Sequence, residues 1–518
     1  MLAPLLAAVA VLVLTFTYRR LRYIRFQQYA HFPQLPSSLL LGHLKAFGEF
    51  MKASKPDAHP DMAMIAMSKA LGRPPLMFVD MRPLNDPLVV VRDPEIADQL
   101  TKASKVFPTS PPKSSRFNPG FAPQYLITFV PDVLDKGLIF LERLDSLCET
   151  GETFALMDYA SRLTFDIIGK VVMEADLDAQ VSDQSKNSEL VDLFETLLDS
   201  YNGERHNLPW WLTIQRVRRR AALSNRIAGL LRVIVRRKHA ELHEQEKGNP
   251  KPRSVLSLAL QDVTSLTPSI MDETCDQLRT FLFAGQDTTS ILLSWVFYEL
   301  SRTPRALRAV HAELNNLLGP DTTPSAVRAR LLGQEDLLQQ MHYVSAVIKE
   351  ALRLHPPGGT ARVIPRGSGF TVRIPGGEQQ CLDGLLVYNC QTILHTDPKA
   401  YGDTADRFVP ERWLAGCGDG GGGDPEIPPG AWRPFERGVR SCPGQELVNI
   451  EARVIIALAV RRYDFVKAGV GEVVLDGSGQ PSLDERTGQY KVTEEVYPAR
   501  QVMAKPVNGM MMKVRLSL

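Results

Sequence analysis

Phe435-Glu436-Arg437-Gly438-Val439-Arg440-Ser441-Cys442-Pro443-Gly444 is the stretch on which the reading of this chain turns. It sets one thiol in a glycine-flanked loop, two residues after an arginine and just before an apolar helical stretch. A thiolate exists at neutral pH only with cationic or dipolar stabilisation. A loop that ends at a helix N-terminus aims backbone N–H groups at such an anion. Cys is one of the few side chains able to ligate haem iron axially, and thiolate ligation favours O–O cleavage. The bland alternative is a buried free thiol, the usual fate of an intracellular cysteine. A lone Cys would take that reading; the complete loop around Cys442 argues against it.

The chain around this loop has 518 residues, 44% of them hydrophobic, so a large core is possible. A net charge of +2 with no long basic stripe argues against a nucleic-acid partner. The six cysteines form no C-x-x-C pair, so zinc is not expected, and their scattered spacing suits a reducing compartment. Leu2 to Tyr18 is nearly all apolar, long enough as a helix for the low end of a bilayer span. Arg19, Arg20, Arg22 and Arg25 follow it, which leaves that flank and the rest of the chain in the cytoplasm. A cleaved signal peptide would carry its charges before the apolar run. Residues 1–18 therefore read as an uncleaved anchor. Residues 19–44 read as a basic flank whose His31-Phe32-Pro33-Gln34-Leu35-Pro36 forms a stiff hinge, and 45–518 as the globular domain.

Within that domain the pattern is α+β and mostly helical. Leu88-Val89-Val90-Val91 marks a small β region near the N-terminus. The chain from Pro131 to about Arg353 is helix-rich, and a long helix is expected from about Ser269 to Arg302, between Thr267-Pro268 and Pro304. A second runs from Pro304 to Leu318, and another ends at Leu354 before Pro356-Pro357. Trp210-Trp211 suits either a membrane interface or the core. Gly416 to Asp424 reads as a glycine-rich surface loop, and Asn508-Gly509 as the turn of a C-terminal hairpin.

Two further constellations carry chemistry. Ala284-Gly285-Gln286-Asp287-Thr288-Thr289 puts Gly and two Thr residues, poor helix formers, in the middle of the long helix. A Thr hydroxyl there can take an i−4 carbonyl and bend the helix, making room for a small ligand. Asp287 would be a costly buried acid unless partnered or relaying protons. Glu350 and Arg353 lie at i, i+3 on one helix face with apolar flanks, so a buried pair is plausible; Arg412 follows in Pro410-Glu411-Arg412-Trp413.

Together these motifs resemble the cytochrome P450 family. The Cys442 loop is similar to its haem-binding loop, Phe-x-x-Gly-x-Arg-x-Cys-x-Gly, with Phe435, Gly438, Arg440, Cys442 and Gly444 at the fixed positions. Ala284–Thr289 looks like its oxygen-activating motif, and Glu350, Arg353 and Arg412 like its Glu-x-x-Arg and Pro-Glu-Arg motifs. The resemblance implies heme b ligated by Cys442, with propionates met by Arg440 and Arg362. Phe435 would pack near the sulfur and tune it. Thr288 would bond dioxygen at the haem and Asp287 would feed protons. Glu350, Arg353 and Arg412 would form a structural network behind the Cys loop. Phe281, Phe283, Ala284, Gly359 and Thr360 would wall an apolar substrate pocket. The implied activity is oxidation of a hydrophobic small molecule with O2 and electrons from an NADPH–cytochrome P450 reductase, at the endoplasmic reticulum membrane. The anchor and Pro-Glu-Arg-Trp look fungal, which associates the chain with secondary metabolism.

One region departs from the family pattern. A Trp-x-x-x-Arg helix normally precedes an Asn-Pro-Gly/Ala-Phe stretch, here Asn118-Pro119-Gly120-Phe121. Ser110 and Ser114 stand where Trp and Arg would fall, and tens of residues are missing near 106–116. Two alternatives stay open on sequence: a paralogue impaired by that loss, and a redox-neutral isomerase or dehydratase on the same fold.

Overall fold

The computed structural model describes residues 2–102, 112–181, 188–202, 213–244, 253–334, 336–414 and 427–517. Ser110, Trp210, Trp211 and the Gly416–Asp424 stretch lie outside them. The chain divides into two compact units.

The first unit comprises Met1–Thr109, Gly358–Ala405 and Pro425–Arg440. Its centre is a four-stranded sheet. Leu76–Val79 pairs antiparallel with Leu88–Val91, which pairs parallel with Leu386–Asn389; Thr360–Val363 then adds antiparallel. The period of two sorts the side chains. Leu76, Phe78, Val89, Val91 and Val387 pack on one face, and Met77, Val79 and Val90 on the other. The strand at Leu88–Val91 is where the sequence places it. The strands Thr360–Val363 and Leu386–Asn389 are short and half-buried, and their sequence carries no clear alternation.

The N-terminal helix spans Leu2–Phe26 and is continuous through the arginines. Its stretch from Pro4 to Phe26 is long enough to cross a membrane, and the apolar window within it is not buried in the protein. Arg25 does not belong to a solvated basic flank. It is buried and pairs with Asp80 at 2.7 Å, while its Nη2 donates to Leu40 O and Arg82 O. Arg82 holds the same carboxylate. Nor is His31–Pro36 a hinge. Phe32 enters the core beside Phe78, and Phe78 N donates to Pro33 O at 2.9 Å. The apolar side chain inside this proline-rich stretch decides the matter: burying it docks the segment onto the sheet.

The second unit comprises Ser110–Pro357, Asp406–Asp424 and Ser441–Leu518 and is mainly helical. Its longest helix runs Pro268–Arg302, with Thr267 Oγ1 capping Ile270 N. Helices at Pro304–Leu318 and His342–Leu354 match the expected ones. The central helix packs along the helix Leu156–Met173, and the helix Gln445–Ala459 lies in the same unit. Gly285 is explained by this packing: a Cβ there would stand 2.6 Å from Ile168 Cδ1. Thr164 Oγ1 donates across to Gln286 O at 2.8 Å, which stitches the two helices at that level.

The C-terminal turn forms, but not as a hairpin. Asn508, Gly509 and Met510 all have positive φ. The strand before them, Ala504–Pro506, pairs with Pro498–Arg500; the strand after, Met511–Leu516, pairs with Tyr463–Lys467 and Phe154–Ala155. The long strand finds a longer partner in Tyr463–Lys467 than three residues could offer.

Candidate active site

Each unit contributes named side chains, and the sulfur comes first. Cys442 sits before the helix Gln445–Ala459, and its Sγ accepts from Gly444 N and Gln445 N. The predicted helix-terminus donors are therefore present. The Cys442 residue is exposed, yet partial desolvation raises its thiol above the ordinary range against these two N–H groups. Among the described residues Cys148, Cys275, Cys381, Cys390 and Cys442 are all free.

In the same unit, the central helix presents Thr288 half-exposed and Ala284 exposed, with Thr288 Oγ1 donating to Ala284 O at 2.7 Å. This is the back-bond expected of a mid-helix Thr. Asp287 on the neighbouring position is buried, 1% exposed. Burial raises its carboxyl, and Lys505, 2.6 Å away, pulls it partly back. Phe281 makes edge contacts with Phe117 and Phe121, and Phe283 is half-buried.

Glu350 and Arg353 are both fully buried and paired bidentately at 2.8 Å. Arg412 Nε, Val409 N and Trp413 Nε1 also donate to the Glu350 carboxylate. Arg353 reaches on to Arg407 O. The expected trio thus forms, and it clamps the 407–413 segment to the helix His342–Leu354. Burial raises the Glu350 carboxyl, but the two guanidiniums and the Val409 N–H outweigh it and hold it below the usual range.

In the first unit, Arg362 on the strand Thr360–Val363 and Arg440 feel each other's charge. Burial lowers the Arg362 pKa most; Glu436 opposes that and Arg440 adds to it. Guanidinium groups of this kind are suited to carboxylates such as propionates. In chemical type, a free thiol and guanidinium groups are the donors that haem iron and its propionates take. Gly438 has φ of 77°, and a Cβ there would meet Thr101 O at 2.7 Å, so the loop needs glycine twice over. Phe435 is half-buried against Trp432. Gly359 packs on Tyr388, and Thr360 gives its hydroxyl to Glu436.

Three residues escaped the sequence reading. Arg433 and Glu436 pair in the buried base of the loop, and Asn389 and Thr360 also donate to Glu436. Arg433 further meets Asp98, and its backbone N donates to His395. Their i, i+3 spacing is the same signal that pointed to Glu350 and Arg353. Glu451, buried on the helix Gln445–Ala459, faces Thr289, and burial pushes its carboxyl well up. A lone acid in an apolar helix was its signal.

Comparison with known proteins agrees with this geometry. The family model described as cytochrome P450 matches residues 114–477. The chain is 29% identical over 511 residues to the cytochrome P450 monooxygenase acrF of Aspergillus aculeatus, covering 89% of this chain and 98% of the relative. It is 31% identical over 285 residues to a bifunctional cytochrome P450/NADPH–P450 reductase of Gibberella moniliformis, covering 54% of this chain and 22% of that protein. The crystal structure of the cytochrome P450DA heme domain superposes with a TM-score of 0.71 at 18% identity, covering 94% and 97% of the two chains.

Proposed function

The chain belongs to the cytochrome P450 family of monooxygenases, and from that premise we propose that it is a membrane-anchored haem-thiolate monooxygenase acting on a hydrophobic small molecule. The observation that carries this reading is the free Cys442 sulfur under two backbone N–H groups at a helix start. Haem, when bound, supplies dioxygen activation and C–H oxidation. Cys442 would hold its iron, and Arg440 and Arg362 would hold its propionates. Thr288 would offer its hydroxyl, back-bonded to Ala284 O, and Asp287 would carry protons to it from the helix interior. Phe281, Phe283 and Ala284 offer apolar surface to substrate. Glu350, Arg353 and Arg412 keep the fold in register under the Cys loop.

Electrons come from NADPH through a separate reductase. The relative whose name joins a P450 to such a reductase supports this partner. The N-terminal helix would anchor the chain in the endoplasmic reticulum membrane with the globule in the cytosol. A fungal secondary metabolite of polyketide, terpenoid, fatty-acid or alkaloid type suits an apolar pocket and a membrane address.

The test is a reduced-plus-carbon-monoxide difference spectrum of the full-length protein. The red-shifted band of a thiolate-ligated haem is expected, and C442S should lose it. A parent protein that takes up no haem would sink the reading.

A further inference from the structure

Asp287 has a partner that no motif supplies. Lys505 lies on the strand Ala504–Pro506, more than two hundred residues along the chain. Its ammonium stands 2.6 Å from Asp287 Oδ1, with the lysine side chain 16% and the aspartate 1% exposed. The strand is fixed on both sides. Ala504 N donates to Pro357 O at 2.9 Å, and past the turn Leu156 N donates to Met510 O at 3.2 Å. The ammonium is therefore delivered by a tethered arm rather than by a loose side chain on the surface.

The other charged groups around the central helix do not replace it. Asp158, exposed in the first turn of the helix Leu156–Met173, shares the Lys505 charge and also feels Arg162 and Asp199. Glu451 on the helix Gln445–Ala459 faces Thr289. The helix Ile214–Glu244 reaches the central helix through Arg232 at Asp272, and His355 through Glu299. Among the described residues, Lys505 is the cation in ion-pair contact with Asp287.

We propose that Lys505 is a positioning residue that keeps Asp287 ionised and turned toward the Ala504–Pro506 strand, so that proton delivery to Thr288 begins with release of this pair. The proposal rests on the relay reading of Asp287 given above. Without the ammonium, a carboxylate buried this deeply takes up a proton and no longer cycles between its two states. Arginine at the position keeps the charge; methionine keeps the bulk and removes it.

The experiment uses the full-length, haem-loaded protein and four variants: K505M, K505R, D287N and K505M/D287N. Urea unfolding is measured across pH. Burial raises the folded-state pKa of Asp287, so the folded state holds its proton longer and stability falls as pH rises through that range. K505M should make the fall steeper and carry it to higher pH, D287N should remove it, and K505R should follow the parent. The double variant should be more stable than K505M at neutral pH, because no unpaired acid remains. Additive effects of K505M and D287N at every pH would overturn the proposal. Should K505M not fold, folding of the double variant supports the pairing and its failure to fold overturns it. NADPH consumption by D287N with added reductase tests the relay reading separately: an unchanged pH profile there removes the relay, while the unfolding series reads Lys505 regardless.

Discussion

At the scale of single residues, the cost of charge burial decides what each acid does. Glu350 is enclosed with two guanidiniums and two further donors, and it stays ionised. Glu451 is enclosed with a single hydroxyl, and burial favours its neutral form. Asp287 lies between, with one ammonium. E350A should therefore destabilise by about 3–5 kcal/mol at neutral pH, since it strands Arg353 and Arg412. The pH sign follows from the depressed carboxyl. The stability contributed by Glu350 is complete above the ordinary glutamate range and is lost as pH falls through it toward the folded value. The gap between parent and E350A in urea midpoints should thus narrow below about pH 4. A gap that stays constant down to that pH would show that Glu350 is not ionised in the fold. Removing Glu436 should loosen a different place: E436A leaves the buried Arg433 with Asp98 as its remaining ion partner, and retention of added haem should fall while the helical circular dichroism persists.

At the scale of elements, close packing sets the central helix and a buried ion pair sets the first. G285V drives side-chain atoms into Ile168, which stands 2.6 Å from the position of a Cβ, and overpacking of this kind costs about 1–3 kcal/mol. I168A in the same protein should recover most of the loss; no recovery would place the strain within the helix itself. The N-terminal helix has two parts with different jobs. Residues up to Tyr23 are almost all exposed, whereas Arg25 is buried against Asp80. Deleting residues 2–20 should release the protein from membranes in a flotation assay and leave its melting temperature unchanged. Deleting residues 2–26 should lower the melting temperature as well, because Asp80 then keeps only Arg82.

At the scale of the whole molecule, function should depend on a second protein. NADPH consumption by the purified chain should be negligible alone and appear when a P450 reductase is added; consumption without it would overturn the electron source proposed here. The helices and the Cys442 loop were legible because they are local. Caps, prolines and a run of ten residues carry their own signals, and the long helix and its successor fall within a residue of their expected ends. The sheet was legible only at Leu88–Val91, since its parallel neighbour is Leu386–Asn389 and nothing local announces a pairing that distant. The same distance hid Lys505 from Asp287 and Thr360 from Glu436. Sequence alone determined the sulfur, the acid–threonine pair, the Glu350–Arg353 pair and the apolar N-terminus, because each is written in residues a few positions apart. Only the tertiary structure decided which cation meets Asp287, that Arg25 and Phe32 dock instead of flanking a hinge, and how the C-terminal strands pair. Those outcomes depend on burial and on partners remote in the chain, and a buried charge or ring accepts whichever partner the packed fold brings to it.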